Sequence, residues 1–255
     1  MVHFVGAGPG AVDLITVRGK RLIEEADVII YAGSLVNPDI LSFAKADCQI
    51  HDSKELNLDE VTAIMKEAEK EGKTTVRLHT GDPSLYGAIR EQMDILKECA
   101  ISYDVTPGVS SFCGAAAALN MEYTLPGVSQ SLIITRMDGR TKVPERESIE
   151  ALASHGTTMV FFLSAFDTKR LKERLIDAGL SIDTPCAIVY KATWEDEKKY
   201  ICTLEKLDET AAENDIHKTA LIIVGEAVAT GEYEKSRLYA PDFTTEYRIG
   251  TDRHE

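Results

Sequence analysis

The sequence predicts an α/β protein with two α/β domains, each built on a mixed, mostly parallel sheet, and a cleft between the two domains. The first observation is that short apolar runs alternate with segments of helical periodicity, the pattern of parallel strands covered by helices on both faces. The second is a change in the order of the predicted elements in the second half, where the predicted strands 187–190 and 200–203 have no helix between them. That pair indicates a hairpin and therefore a mixed sheet. Clefts between domains are common ligand sites, so we expect the functional site there.

Helix caps and apolar spacing define the elements of the first domain. Thr16 is a capping residue type, and a helix is expected from there toward Ala26. Asn57, with Glu60 three residues later, matches a capping box, and Gly72 is expected to end the helix that follows. The other predicted elements are strands at 2–5, 28–31, 75–79 and 103–105, a helix through Ile89, Met93 and Leu96, and an alanine-rich helix at 114–119.

The second half of the chain is predicted to form another sheet with its own helices. Strands are expected at 132–135, 158–163, 187–190, 200–203 and 221–224, and helices at 145–154, 167–178 and 205–213. Pro126 marks a linker between the two halves. We therefore expect domains at 1–120 and 121–228, followed by a polar tail at 229–255 that suits a docking or partly disordered extension.

Composition and charge exclude several classes of function. The chain has 255 residues, 44% hydrophobic and 27% charged, which is ordinary for a globular protein. Lys and Arg number 28 against 42 Asp and Glu, so the formal net charge of −14 disfavours nucleic acid as a partner. No stretch approaches the roughly 20 apolar residues of a membrane span, and no targeting segment is recognisable. Five scattered cysteines without a CxxC pair indicate reduced thiols, so we expect a cytoplasmic protein with no membrane partner.

The glycine-rich segment after the first strand has two interpretations. Gly6, Gly8 and Ala11 fit the fingerprint of dinucleotide-binding loops, which would make the protein a nicotinamide-dependent dehydrogenase. However, Pro9 removes a backbone N–H from the turn, and the helix is expected to begin only near Thr16. The second strand also lacks the acidic residue at its end that would bind a ribose. These departures disfavour a nicotinamide cofactor.

Three turns follow predicted strands of the first domain, at 6–10, 81–83 and 107–111. The carboxyl ends of parallel strands meet at one edge of a sheet, where ligands bind. Glycine lets the backbone approach a ligand closely, and proline fixes the turn. Ser110 and Ser111 add hydroxyl and N–H groups at the start of a helix whose small side chains leave room for a flat ligand. Three ordinary β–α turns are the alternative interpretation.

The same turns carry a resemblance to a known family. V-G-A-G-P-G at 5–10, H-T-G-D-P-S-L-Y-G at 79–87 and T-P-G-V-S-S at 106–111, in this order and spacing, resemble the tetrapyrrole (corrin/porphyrin) methylase superfamily. The resemblance covers essentially the whole chain. It implies two α/β domains with S-adenosyl-L-methionine as the cofactor in the trough between them, and S-adenosyl-L-homocysteine as the product.

Four further segments resemble the branch of this superfamily that methylates carbon 11 of precorrin-4 or cobalt-precorrin-4. They are S-L-V-N-P at 34–38, T-R-M-D-G-R-T-K-V-P at 135–144, V-Y-K-A-T-W at 189–194 and S-R-L-Y-A-P-D-F-T at 236–244. The implied function is methyl transfer to C11 during corrin ring (cobalamin) biosynthesis, giving (cobalt-)precorrin-5. The alternatives are another corrin carbon, uroporphyrinogen, the diphthine or ribosomal RNA branch, the dehydrogenase, and a corrinoid carrier without catalytic activity. The acidic charge disfavours the RNA branch.

The resemblance also implies cofactor-binding residues in both domains. Along the chain they are Pro9, Gly81, Asp82, Leu85, Tyr86, Ser110, Ser111, Leu163, Ala192 and Ala220. Leu163 is expected to end a strand, Ala192 to lie beneath the adenine and Ala220 to begin the last strand. Tyr86 is expected to face the sulfonium or to line the macrocycle.

The implied tetrapyrrole substrate carries several carboxylates, which arginine forks and lysines bind well. The candidates are Arg136, Arg140 and Lys142 in the segment 135–144, and Lys191 after the strand at 187–190. A solvated surface cation is the alternative for each.

The chemistry expected of the protein is mainly positioning, because the sulfonium is already an activated methyl donor. We expect no covalent protein intermediate and no metal bound by protein ligands, and any cobalt arrives with the substrate. His79 is a candidate base and Asp82 a candidate electrostatic group, although a strand-end histidine without a catalytic task and an Asx turn are simpler interpretations. The catalytic residues are left open. A homodimer follows from the resemblance alone.

Overall fold

The computed structural model describes residues 1–229, 231 and 233–251 of the chain. These residues form two compact units. The first unit comprises Met1–Asn120, Val189–Lys199 and Lys218–Leu221, and the second comprises Met121–Ile188, Tyr200–His217 and the described part of Ile222–Glu255. The predicted domain limits at 120 and 228, and the predicted cleft between the domains, stay predictions.

The first unit contains a sheet of five parallel strands, namely β1 (Val2–Gly6), β2 (Val28–Tyr31), β3 (Gln49–Asp52), β4 (Thr75–His79) and β5 (Tyr103–Thr106). Their order is β3-β2-β4-β1-β5, and all neighbours run parallel. The register places Gly6 beside His79 and Val5 beside Thr106. The turns that follow β1, β4 and β5 therefore leave the sheet at one edge, as predicted.

Four α-helices belong to the first unit, namely α1 (Val17–Glu25), α2 (Leu58–Lys70), α3 (Ile89–Glu98) and α4 (Ser111–Leu119). The two caps predicted from the sequence are confirmed. The Thr16 hydroxyl accepts a hydrogen bond from Gly19 N at 3.0 Å. Asn57 and Glu60 form the reciprocal capping box, with bonds of 3.0 and 2.8 Å. The donors at the start of α1 and α2 are thus partly satisfied by local side chains.

Apolar side chains bury both faces of the first sheet, as expected for parallel strands. Phe4 of β1 packs in one cluster with Met65 of α2 and Leu96 of α3. The next residue, Val5, packs on the opposite face in a second cluster with Ile23 of α1. All five side chains are fully buried, and each such burial stabilises the fold by about 1.5–3 kcal/mol. The sheet therefore gives the turns at its edge a rigid base.

A second sheet contains β6 (Leu132–Arg136), β7 (Thr158–Phe162), β8 (Pro185–Tyr190), β9 (Lys198–Thr203) and β10 (Ala220–Val224). Its order is β6-β7-β10-β8-β9, with β6 and β7 parallel and β7 and β10 antiparallel. The mixed sheet predicted for the second half is confirmed. The helices here are α5 (Ile149–Ala153), α6 (Thr168–Asp177) and α7 (Leu207–Glu213). None of the helices among the described residues is long and apolar enough to cross a membrane.

Several element boundaries differ from those predicted. The strand expected at 158–163 ends at Phe162, because Leu163 has a φ of 50° and cannot continue an extended strand. The helix expected at 145–154 is interrupted and leaves only α5 and a short 3₁₀ turn. Strand β3 was not predicted, because its sequence Gln-Ile-His-Asp holds a single apolar residue and pairs only at the sheet edge. In the tail, Arg248 donates to the carbonyls of Leu238 and Ala240.

Candidate functional site

The three strand-end turns of the first unit interlock through their backbones. Gly8 N donates to Gly81 O at 3.3 Å, and Gly81 N donates back to Gly8 O at 2.8 Å. Ala7 N donates to the carbonyl of His79 at 2.7 Å. A Cβ on Gly6 would lie 2.6 Å from both Gly81 O and Gly108 N, closer than real side chains come. The turns therefore touch without any side chain between them, which explains the glycines at these positions.

Asp82 links the second turn to the third. Its Oδ2 accepts a hydrogen bond from Gly108 N at 2.9 Å, and its Oδ1 accepts one from Ser84 N at 2.8 Å. Burial alone would raise the pKa of Asp82, but the bonds from Ser84 and Gly108 outweigh burial and lower it. The carboxylate is thus ionised at neutral pH and forms an Asx turn, as the simpler sequence interpretation expected.

The start of α4 offers unused polar groups beside the second turn. Ser110 is the N-cap residue, but its side chain makes no capping bond. Neither the Ser110 nor the Ser111 hydroxyl has a hydrogen-bond partner among residues 1–229, 231 and 233–251. Gly81 has a φ of +60°, and a Cβ there would lie 3.3 Å from Ser111 N. The glycine therefore keeps the space beside the helix N-terminus open, and such N–H groups bind anions well.

The segment after β8 lies against the first turn. Ala192 is buried, and its carbonyl would be 2.9 Å from a Cβ on Gly10. Lys191 N donates to the carbonyl of Thr219 at 2.9 Å, next to Ala220, the first residue of β10. The start of β10 at Ala220 is as predicted. The first unit thus brings together most of the cofactor-binding positions that the sequence predicted.

Unusual backbone geometry recurs at the predicted site positions. Tyr86, Leu163 and Lys191 all have a positive φ, between 47° and 57°, which is uncommon for residues other than glycine. Tyr86 is 45% exposed and Leu163 is 60% exposed. Such strain costs of order 1–3 kcal/mol per residue and concentrates at ligand sites. The geometry therefore favours a functional role for these positions.

His79 is not placed to act as a base. Its ring is buried, and burial together with the Arg77 guanidinium lowers its pKa to about 3. Its Nε2 has no hydrogen-bond partner among the described residues. The ring is therefore neutral at pH 7 and sealed from solvent, which fits a strand-end histidine without a catalytic task.

In the second unit, Leu163 and Arg136 lie at the same edge of the second sheet. Arg136 pairs with Phe162 in the register of β6 and β7, and Leu163 is the next residue. The following residue, Ser164, accepts a hydrogen bond from Met137 N at 2.8 Å. Leu163, predicted to bind the cofactor, and Arg136, predicted to bind the substrate, are thus neighbours within this unit.

The guanidinium of Arg136 is used inside its own segment. It donates to the carbonyls of Met137, Thr141 and Lys142, each at 3.1 Å. Arg140 and Lys142 are exposed, and their side chains make no hydrogen bond or ion pair within the described part of the chain. The structure therefore separates a cation that shapes the segment from two cations that are available to a ligand.

Asp138 ties this segment to α6. It accepts bonds from Arg170 at 2.6 Å and Arg174 at 2.5 Å, and these hold its pKa below the usual value. Arg174 also binds Glu150 at 2.6 Å and lowers the pKa of Glu150 to about 2. This ion-pair network anchors the segment 136–144 from outside and was not predicted from the sequence.

Lys191 in the first unit already has partners. Its ammonium lies 2.6 Å from Asp196, which raises the pKa of Lys191. It also lies 5.2 Å from the ring centroid of Trp194 and 5.4 Å from that of Tyr190, within cation–π range.

Among the described residues, no group of three His, Cys, Asp or Glu side chains could hold a metal ion.

Sequence reasoning gave no role to three residues that contact the first turn, namely Asn37, Thr193 and Trp194. Asn37 Nδ2 donates to Gly10 O at 3.0 Å, and Trp194 Nε1 donates to Pro9 O at 3.1 Å. The signal that could have found them is their place in the segments 34–38 and 189–194, which carry the resemblance.

Together, the fold and the interlocked turns define an α/β protein with a candidate small-ligand site at the carboxyl edge of its first sheet. The comparisons with known proteins make this class specific. The family model Tetrapyrrole (Corrin/Porphyrin) Methylases matches residues 1–208. The chain belongs to this family of methylases, and the family predicted from the three turns is confirmed.

The relatives are similar over nearly their full length. A cobalt-precorrin-4 C(11)-methyltransferase of Methanocaldococcus jannaschii is 49% identical over 247 residues, covering 97% of this chain and 95% of that protein. A protein of the same name from Priestia megaterium is 44% identical over 252 residues, covering 98% of each. The X-ray structure of a cobalamin biosynthetic enzyme, cobalt precorrin-4 methyltransferase, matches with a TM-score of 0.87 at 44% identity, covering 89% of this chain and 95% of that one.

Proposed function

We propose that this chain transfers the methyl group of S-adenosyl-L-methionine to carbon 11 of precorrin-4 or cobalt-precorrin-4, a step of cobalamin biosynthesis. The observation that carries the proposal is full-length similarity, at 49% and 44% identity, to two proteins named for this reaction. Both are named for the cobalt form, which favours the cobalt-containing substrate. The interlocked turns of the first unit give the proposal a physical site.

The cofactor is proposed to lie against these turns. The space beside Gly81 and the N–H groups at the start of α4 suit the carboxylate of its methionine end. So do the hydroxyls of Ser110 and Ser111, which have no partner among the residues that the structure describes. Further along the chain, the proposed contacts are Pro9, Asp82, Leu85, Tyr86, Leu163, Ala192 and Ala220. When bound, the cofactor supplies a methyl group on a positively charged sulfur.

The carboxylates of the macrocycle are proposed to meet Arg140 and Lys142. These two cations are exposed and unpaired within the described residues, so a ligand does not have to displace an existing partner. Arg136 and Lys191 stay in the proposed set, although Arg136 already binds three carbonyls and Lys191 already binds Asp196. An anionic substrate can thus be recognised by local cations despite the acidic charge of the whole chain.

The proposed mechanism assigns the protein binding and orientation. In-line displacement at the methyl carbon depends on holding donor and acceptor at the right distance, and a rigid set of turns serves that purpose. Asp82 fixes the second and third turns relative to each other, and His79 is buried and neutral. No residue is assigned a covalent role.

The cellular setting of the protein is also part of the proposal. We propose a cytoplasmic enzyme that acts as a homodimer without nucleic acid or membrane partners. Sedimentation equilibrium at several protein concentrations measures the oligomeric state. A monomer at every concentration contradicts the dimer without touching the proposed reaction.

The reaction is tested with precorrin-4 and cobalt-precorrin-4, incubated side by side with the protein and a cofactor carrying a ¹³C-labelled methyl group. NMR of the product is expected to show the label at C11, with faster turnover of the cobalt form. Label at any other carbon contradicts the proposal. Lys70→Ala serves as the control variant, because Lys70 is an exposed cation in the last turn of α2, and all of β4 separates it from the second turn. Its ion-pair partner among the described residues is Glu67 on the same helix.

A further inference from the structure

The last two residues of the first turn, Pro9 and Gly10, and the residue that follows, Ala11, are each bound by a side chain from a distant part of the sequence. Pro9 O accepts from the Trp194 indole N–H at 3.1 Å. Gly10 O accepts from the Asn37 amide at 3.0 Å, and Ala11 N donates to the Thr193 hydroxyl at 2.9 Å. These three backbone groups lie before α1 and make no hydrogen bond within it. Side chains from other parts of the chain therefore satisfy them and fix the turn.

The turn is also closely packed against neighbouring residues. A Cβ on Gly10 would lie 2.5 Å from Trp194 Nε1 and 2.9 Å from Ala192 O, so the indole rests directly on the glycine. On another side, Pro9 meets α4, where a Cβ on Gly114 would lie 2.9 Å from the Pro9 ring. Pro9 therefore contacts both the indole and α4.

The segment that carries the indole is itself held in place. Thr193 N donates to a carboxylate oxygen of Glu197 at 2.6 Å, and Trp194 N donates to Lys191 O at 3.0 Å. Thr193 has a φ of 69°, a conformation that persists only where the surroundings enforce it. The Lys191 ammonium lies over the indole at 5.2 Å. The segment that contacts the first turn is therefore itself bound by several side chains and backbone groups.

We propose that Asn37, Thr193 and Trp194 are positioning residues that hold the Pro9–Gly10–Ala11 turn in the conformation that binds the cofactor. They act through the backbone of the turn and do not contact the reacting atoms. This inference rests on the proposed function, since Pro9 is one of the proposed cofactor contacts. It gives a role to Asn37, Thr193 and Trp194, which had none.

The test measures binding of S-adenosyl-L-homocysteine by calorimetry in variants that remove one bond each. Trp194→Phe keeps the ring and loses the N–H, and Thr193→Val keeps the shape and loses the hydroxyl. Asn37→Asp keeps the oxygen that accepts from Asp39 N and loses the donor to Gly10. Because one lost hydrogen bond changes an equilibrium by about two- to tenfold, each variant is expected to raise the Kd by about that factor. The KM for the macrocycle is expected to stay unchanged.

A matched control separates positioning from general stability. Thr62→Val removes a buried hydroxyl that donates to Leu58 O inside α2, so it is expected to lower the melting temperature without changing the Kd. Variants at 37, 193 and 194 that bind with wild-type Kd, or that change only the melting temperature as the control does, overturn the inference. Failure of the wild-type protein to bind S-adenosyl-L-homocysteine overturns the proposed function instead.

Discussion

The turns of the first unit and the segment 136–144 of the second unit are built in opposite ways. In the turns, backbone lies on backbone, and a Cβ on Gly108 would come within 2.8 Å of Gly6 Cα. In the segment, side chains set the shape, and a Cβ on Gly139 would meet only the Phe166 ring at 3.6 Å. The turns therefore tolerate almost no added atom, whereas the segment has room to adapt.

This difference matches the ligands proposed for each region. A cofactor shared across a family needs one fixed cradle, and main-chain groups provide it independently of most side chains. A large polyanion is better met by cations on an exposed segment, whose identity can change without disturbing the fold. Substitutions in the turns are thus expected to change the affinity for the cofactor, and substitutions in the segment the affinity for the macrocycle.

The largest effect is expected from Gly108→Ala. The new methyl group would collide with Gly6 Cα and Gly81 O, which are backbone atoms and cannot move aside. Overpacking of this kind costs about 1–3 kcal/mol, and the Kd for S-adenosyl-L-homocysteine is expected to rise at least about tenfold. Urea denaturation and calorimetry measure the two quantities. Gly139→Ala is the paired control, and an equal loss of stability or cofactor affinity in both variants would remove the contrast.

The second effect concerns the link between the second and third turns. Asp82→Asn replaces one carboxylate oxygen by an amide donor, so either the bond from Gly108 N or that from Ser84 N is lost. We expect the cofactor Kd to rise about tenfold, as for the loss of a bond to a charged acceptor. In the wild-type protein, the lowered pKa of Asp82 keeps this link intact at neutral pH. Its contribution is present above the ordinary pKa of 3.8 and is lost as the pH falls further. Unchanged affinity in the variant would show that the turns hold together without Asp82.

A smaller effect, on a different ligand, is expected in the segment. Arg140→Ala removes an exposed cation that has no partner in the described part of the chain, so the macrocycle KM is expected to rise about three- to tenfold while the cofactor Kd stays constant. Arg136→Ala is expected to raise the same KM and also to lower the melting temperature, because its guanidinium binds three carbonyls of the segment. Steady-state kinetics with each substrate varied in turn separates these results. A change in cofactor Kd alone would place both arginines outside the macrocycle site.

The smallest effect is expected from Glu150→Gln, measured as stability against pH. Arg174 lowers the pKa of Glu150 from 4.5 to about 2, so the folded state binds fewer protons than the unfolded chain in that interval. The stabilisation is therefore complete above about pH 4.5 and is lost as the pH falls toward 2. Glu150 is exposed and Arg174 is partly exposed, so solvent screens the pair and the difference is expected to stay below about 1 kcal/mol. Urea denaturation at pH 6 and pH 3 should show a steeper decline in the wild type than in the variant.

Local features were predictable from the sequence, and contacts between distant residues were not. The capping box at Asn57 and the cap at Thr16 depend on residues three positions apart, which the sequence displays directly. The bond between Trp194 and Pro9 joins residues 185 positions apart, and only the folded chain reveals it.

The sequence also did not reveal the hydrogen-bond partners of the cationic side chains. Arg136 was predicted to bind a substrate carboxylate from its residue type and segment, and that role stays a prediction. The sequence did not reveal that its guanidinium donates to three carbonyls of its own segment. Strand β7 was predicted one residue too long, to Leu163. The positive φ of Leu163 cannot be recognised from an apolar run of sequence. The side-chain roles of the candidate site stay predictions until binding is measured.

The indole on the first turn has one more consequence. Trp194 is the chain's single tryptophan, and its N–H is bound to Pro9 O. Light absorbed selectively by the indole therefore excites one known position beside the proposed cofactor contact. The intrinsic fluorescence of the unlabelled protein can report, in a stopped-flow instrument, when this turn is occupied and in which order the two substrates arrive.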